Sequence, residues 1–85
     1  MDMITEVYSI ICDTYKTMDR TFDVPLEIIS DNSELEDLGI DDFTSKVLLM
    51  NIESRLNVAL PVDESYQMKT VGDVITMIKS SKLMY

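Results

Sequence analysis

The stretch Leu38-Gly39-Ile40-Asp41-Asp42-Phe43-Thr44-Ser45-Lys46-Val47-Leu48-Leu49-Met50 changes character partway along. The first glycine of the chain interrupts it, two aspartates follow, and then Phe43, Val47, Leu48, Met50, Ile52 and Leu56 supply apolar positions at helical steps. Asp41 suits the N-cap, because a short carboxylate can accept hydrogen bonds from first-turn amides that have no partner within the helix. The spacing predicts a helix from about Asp42 to Leu56. Val58-Ala59-Leu60-Pro61 ends it, since proline lacks the amide a helix needs.

Upstream, Ile4, Val7, Tyr8, Ile11 and Tyr15 recur at three- and four-residue steps, predicting a first helix from about Asp2 to Thr17 with Asp2 as N-cap. Pro25 and Ser30-Asp31-Asn32-Ser33 break any continuation and leave a long connection, which Leu26, Ile28, Ile29, Leu35 and Leu38 could anchor. Ser33 and Glu36 have capping-box spacing, compatible with a short helical turn. Downstream, Asp63 is placed to cap a brief third helix around Glu64 to Gln67. Thr70 and Asp73 form a second capping-box spacing, followed by Val71, Val74, Ile75 and Ile78 at the helical period, with Lys79 and Lys82 near the negative end of the helix dipole. No strand-like alternation competes. The expected architecture is all-α: one domain over residues 1–85, a four-helix bundle of three longer helices and a short third one.

Composition narrows the function. Eighty-five residues support a single small core, and 46% hydrophobic content argues against disorder. No apolar run is long enough for a bilayer helix, and the N-terminal residues lack a signal-peptide pattern, so the expected location is the cytoplasm. Sixteen acidic against seven basic residues give a net charge of −9, which disfavours nucleic acid and anionic membranes and favours basic protein partners. From Thr21 to Ser45 there is no Lys or Arg, while Asp23, Glu27, Asp31, Glu34, Glu36, Asp37, Asp41 and Asp42 fall there: a solvated loop or a docking surface.

Histidine is absent, and one cysteine, Cys12, reads as a buried or half-buried helix position. General-base chemistry and a zinc site thus lose their usual residues. The acidic loop lacks calcium-loop order, and neighbouring pairs such as Asp41/Asp42 diverge in direction, so neither a metal site nor an enzyme is expected. The seven methionines read as core filler or as the lining of a groove for a flexible apolar guest.

The stretch from Leu38 through Phe43, continuing to Leu60-Pro61 and Thr70-Val71-Gly72-Asp73, resembles the acyl carrier protein family. There a Leu-Gly-x-Asp-Ser-Leu motif opens the second helix, an Ile-Pro-like pair closes it and a Thr-Val pair starts the last. The spacing fits without a gap from Leu38 to Ile78, while Thr17 to Ile29 is longer than usual in the family. The resemblance implies a carrier that holds acyl or aminoacyl groups on 4′-phosphopantetheine and presents them to basic surfaces of enzymes, as in fatty acid or polyketide biosynthesis. It also implies loading by a phosphopantetheinyl transferase, a monomeric state, and a site made of Asp41, position 42 and Phe43.

Position 42 departs from the family. The family's serine hydroxyl attacks the pyrophosphate of coenzyme A, whereas Asp42 has no hydroxyl, and an acyl phosphate formed through its carboxylate would be prone to hydrolysis. No prosthetic group is therefore expected on this chain. Thr44 and Ser45 lie about 200° and 300° around the helix from Asp42 and do not reproduce the family's geometry. Asp42 equally suits the positive pole of its helix. Two origins fit: a divergent member, or a carrier altered to stay unmodified. The family's acidic recognition positions hold Thr44, Val47, Ser54 and Arg55 here, with Lys46 added and only Glu53 acidic, which favours a divergent protein with its own partner. A non-covalent adaptor that docks on a biosynthetic enzyme is the alternative function.

Overall fold

The fold begins at Asp2, whose Oδ1 accepts a hydrogen bond from the Ile4 amide at 3.2 Å and starts α1 (Met3–Thr17) in a computed structural model that describes residues 2–83. One stripe of α1, Val7, Ile10, Ile11, Thr14 and Tyr15, is buried, and Cys12 is half-buried. This stripe packs against α2 (Asp42–Leu56) and α3 (Val71–Lys79). Leu48, Leu49, Ile52, Val71, Val74, Ile75 and Ile78 complete the shared core. The chain is thus a small helical bundle, as its periodicity predicts.

Downstream of α2, three details differ from the sequence reading. The third helix is a 3-10 segment from Val62 to Gln67, so Asp63 lies inside it, and Pro61 precedes it without a side-chain cap. Proline at that position fixes the backbone turn instead. The last helix stops at Lys79, and Lys82 lies beyond it in a two-residue strand. That strand, β2 (Lys82–Leu83), pairs antiparallel with β1 (Val58–Ala59), in the register Val58 to Leu83. A strand this short has no alternation to detect. It forms because Asn57, in the left-handed conformation, ends α2 and turns the chain so that Val58 and Leu60 are buried.

The connection from Met18 to Asp41 is held on the bundle by aromatic contacts. Tyr8 donates its hydroxyl hydrogen to the Val24 carbonyl at 2.7 Å, and Phe22 sits edge-on to both Tyr8 and Tyr15, with centroids 5.8 and 5.0 Å away. Of the predicted anchors, Ile29 and Leu35 are buried and Leu38 packs against the core, but Ile28, in a 3-10 turn from Leu26, is 69% exposed. A turn of that type can bury only some of its side chains. Glu34 forms an isolated antiparallel bridge with Thr70, the helical turn that Ser33 and Glu36 suggested is a turn over residues 35–39 closed by the Leu38 amide on the Glu34 carbonyl, and the Ser33 hydroxyl accepts from the Ser30 amide.

This connection also caps α3. Gly72 donates its amide to the Asp31 carbonyl at 2.8 Å, Val71 donates to Ser33 at 2.9 Å, and Leu35 donates to the Lys69 carbonyl at 2.8 Å. Thr70 and Asp73 form the capping box foreseen from their spacing. Two otherwise unpartnered amides of α3 thereby hold the acidic loop in place.

Candidate functional site

Asp41 precedes α2 in extended backbone, and its Oδ1 accepts a hydrogen bond from the Thr44 amide at 2.8 Å. That bond stabilises the ionised form and holds the Asp41 carboxyl below the usual range. The turn before it depends on Gly39, whose φ of +81° favours glycine, and on Tyr15, which donates to the Gly39 carbonyl at 3.1 Å. Ile40 donates to the Leu35 carbonyl at 2.9 Å and buries its side chain. Asp42 is then the exposed first residue of α2, and Phe43 beside it is 67% exposed.

The face of α2 that enters the core differs from the one its apolar residues suggest. Phe43 and Met50 point outward, whereas Thr44, Ser45, Leu48, Leu49 and Ile52 are buried. Apolar residues lie on nearly every side of this helix, so its own pattern does not choose a face. Packing against α1 and the 3-10 segment does. Asn51 donates to the Thr14 hydroxyl at 2.8 Å, and Thr14 donates to the Ile10 carbonyl at 2.8 Å, which satisfies polar groups between the helices.

Two residues expected on a recognition surface have internal partners. Glu53 accepts from the Leu60 amide at 2.8 Å, holding the chain as it leaves α2. Arg55 reaches across to α1, where its guanidinium pairs with Asp13 and donates to the Ser9 hydroxyl at 3.1 Å. Both charges are engaged by internal partners in this conformation, with Arg55 still partly exposed. Lys46 remains exposed on α2.

Beside Asp42 opens a groove of about 360 Å³. Leu35, Ile40 and Met68 give it apolar walls, while Glu34, Glu36, Asp41 and Asp42 bring four carboxylates and Lys69 brings one ammonium. Ser45 and Tyr66 complete the lining. Sequence reasoning singled out Asp41, Asp42 and Phe43 and weighed Ser45, but gave no site role to Tyr66, Met68 or Lys69. Asp42 borders this groove and Phe43 borders a smaller neighbouring one, with Asp42 and Tyr66 common to both. The only available signal for the missed residues was their position after Pro61, where a short turn could return the chain to α2. Among the described residues no group of three or more His, Cys, Asp or Glu is arranged to hold a metal ion, and no helix is long and apolar enough to cross a membrane.

A helical bundle with an exposed turn opening its second α-helix is the arrangement of a carrier domain. The family profile described as "Phosphopantetheine attachment site" matches residues 15–78, and the chain belongs to this family of carrier proteins. It is similar to the acyl carrier protein of Wolinella succinogenes, with 34% identity over 68% of this chain and 76% of the relative. It is also similar to the acyl carrier protein of Porphyromonas gingivalis strain W83, with 36% identity over 65% of this chain and 70% of the relative. The acyl carrier protein of Rickettsia bellii strain RML369-C is 38% identical over 66% of this chain and 65% of its own length. No solved structure matches the chain. The family carries acyl groups on 4′-phosphopantetheine. Asp42 offers a carboxylate, and the two hydroxyls that follow, on Thr44 and Ser45, belong to buried residues.

Proposed function

We propose that this chain is an acyl carrier protein-like module, without catalysis of its own, that remains free of 4′-phosphopantetheine at Asp42. Asp42 is read as occupying the place of the attachment serine, with Asp41 and Phe43 as its motif neighbours. The observation that carries this reading is the exposed position of Asp42 at the start of α2, one residue after the N-cap. A transferase could reach that side chain, but it would find no hydroxyl to form a phosphodiester. Basic surfaces of biosynthetic enzymes are the partners this reading favours, given the net charge of −9. A single chain acting in the cytoplasm suffices for this role.

The test is intact mass after incubation with coenzyme A and a phosphopantetheinyl transferase. The chain as written should not change, while Asp42→Ser should gain one phosphopantetheinyl group. Modification of the Asp42 form, or modification of the serine form at another residue, would overturn the reading.

Phe43 and Tyr66, 67% and 61% exposed and bordering one cleft with Asp42, favour a second reading as a non-covalent adaptor. A permanent carboxylate would then supply the charge, and the two rings the contact area. Immobilised Asp42 protein should capture a defined biosynthetic enzyme, and Phe43→Ser should lose it. Equal capture by both forms would count against this reading.

A further inference from the structure

The outer side of α2 carries an apolar stripe that the core does not use. Phe43 and Met50 are 67% and 53% exposed, Val47 is half-buried, and steps of four and three residues set all three on one face of the helix. Tyr66, 61% exposed on the 3-10 segment, borders the same cleft as Phe43 and widens the patch. Single exposed apolar side chains are ordinary, but a continuous group of them marks a contact surface. The two ends of the stripe differ in shape. At the Phe43 end lies a cleft of about 190 Å³, with Phe43 and Tyr66 at its sides and Ser65 and Lys46 also lining it. At the other end, about 10 Å along the helix axis, stands Met50, an unbranched side chain able to adapt to a cleft.

We infer that this face is covered by a second copy of the chain, in a weak two-fold pair with the α2 helices antiparallel. A two-fold axis passing near Val47 exchanges the ends of the stripe, so Met50 of each copy meets the Phe43 and Tyr66 rings of the other. The same surface thus supplies both knob and cleft, which a contact between identical copies requires. Charge permits the approach. Although the chain carries a net charge of −9, this cleft has only Asp42 and Asp63 against Lys46, and the two-fold sets each Lys46 between carboxylates of both copies. Two rings and a methionine exposed to this degree offer roughly 300–400 Å² per copy, so the pair buries about 600–800 Å² in total, the size of a transient contact. Single chains therefore predominate at low concentration. Pairing also covers the turn beside Phe43, so it competes with any enzyme that approaches Asp42. The inference requires neither a prosthetic group nor an enzyme, and it is tested apart from both readings above.

The experiment is sedimentation velocity of the full chain from micromolar to millimolar concentration, joined to isotope-filtered NOE spectra of a mixture of labelled and unlabelled chains. The weight-average mass should rise towards that of a dimer, and the Met50 methyl should show NOEs to Phe43 or Tyr66 ring protons of the other copy. Within one chain Met50 and Phe43 lie too far apart along α2 to give that signal. Phe43→Ser, counted twice in a symmetric pair, should weaken association by about tenfold or more with unchanged far-UV circular dichroism. Lys46→Glu should weaken it by about fivefold, because carboxylates then crowd the two-fold. Added salt should strengthen the pair by screening the repulsion between two acidic bodies. A single monomeric species at millimolar concentration, association unchanged by Phe43→Ser, filtered NOEs confined to other residues, or dissociation on adding salt would overturn the inference. A monomeric chain that still captures an enzyme through Phe43 would assign this face to another protein and overturn it equally.

Discussion

Gly72→Ala should destabilise this protein, against the usual sign for such a change inside a helix. Alanine is favoured over glycine in a helix by roughly 0.5–1 kcal/mol, through backbone entropy. Here the added methyl would lie 2.8 Å from the Asp31 carbonyl oxygen and 3.3 Å from Asp31 Cβ. The nearer atom is backbone and cannot swing aside, so the acidic loop must move. Overpacking of this kind costs about 1–3 kcal/mol. The same movement strains the Gly72 amide bond to Asp31, and a hydrogen bond of that type contributes about 1 kcal/mol. The net expectation is a loss of roughly 1–3 kcal/mol, or about 4–8 °C in Tm per kcal/mol for a domain this small. Thermal and urea melts followed by far-UV circular dichroism measure it. A raised melting temperature would refute the reasoning, because it would mean that the loop does not press on α3. The loop carries Glu34, Leu35 and Glu36 into the groove wall, so amide shifts at those residues should accompany the loss.

Tyr15→Phe removes the hydroxyl that donates to Gly39 and should cost about 0.5–1.5 kcal/mol while leaving the Phe22 contact, measurable by urea denaturation. The Asp41 carboxyl has a lowered folded-state pKa, so its contribution to stability is complete above the unfolded value of 3.8 and fades as pH falls through the lower folded value. Asp41→Asn should flatten the pH dependence of the melting temperature below about pH 4, and identical profiles for both proteins would exclude that role. A double-mutant cycle on Arg55 and Asp13, both partly exposed, should give a coupling of about 0.2–1 kcal/mol that shrinks in high salt. A coupling unaffected by salt would show that the pair acts through packing.

Local chemistry decided much of this protein in its sequence. Asp2, Asp41 and the Thr70/Asp73 pair announce three helix starts because a cap acts within one turn. The periodicity of α3 names its buried stripe for the same reason, while that of α1 gives Val7, Ile11 and Tyr15 but not Ile10 or Thr14, and Ile4 and Tyr8 are only partly buried. The motif from Leu38 to Phe43 also placed Asp42 at a helix start, where its chemistry can be questioned.

Only the tertiary structure decided which side of α2 faces inward, since that helix is apolar on several sides and the winning face depends on what α1 and the 3-10 segment present. Packing likewise drew Glu53 and Arg55 into internal hydrogen bonds and ion pairs, although their sequence positions suggested a partner surface. The groove is the clearest case. Its walls come from residues 34 to 45 and 66 to 69, brought together when α3 takes the acidic loop as its cap. No window of sequence contains that meeting, because it rests on hydrogen bonds between residues about forty positions apart.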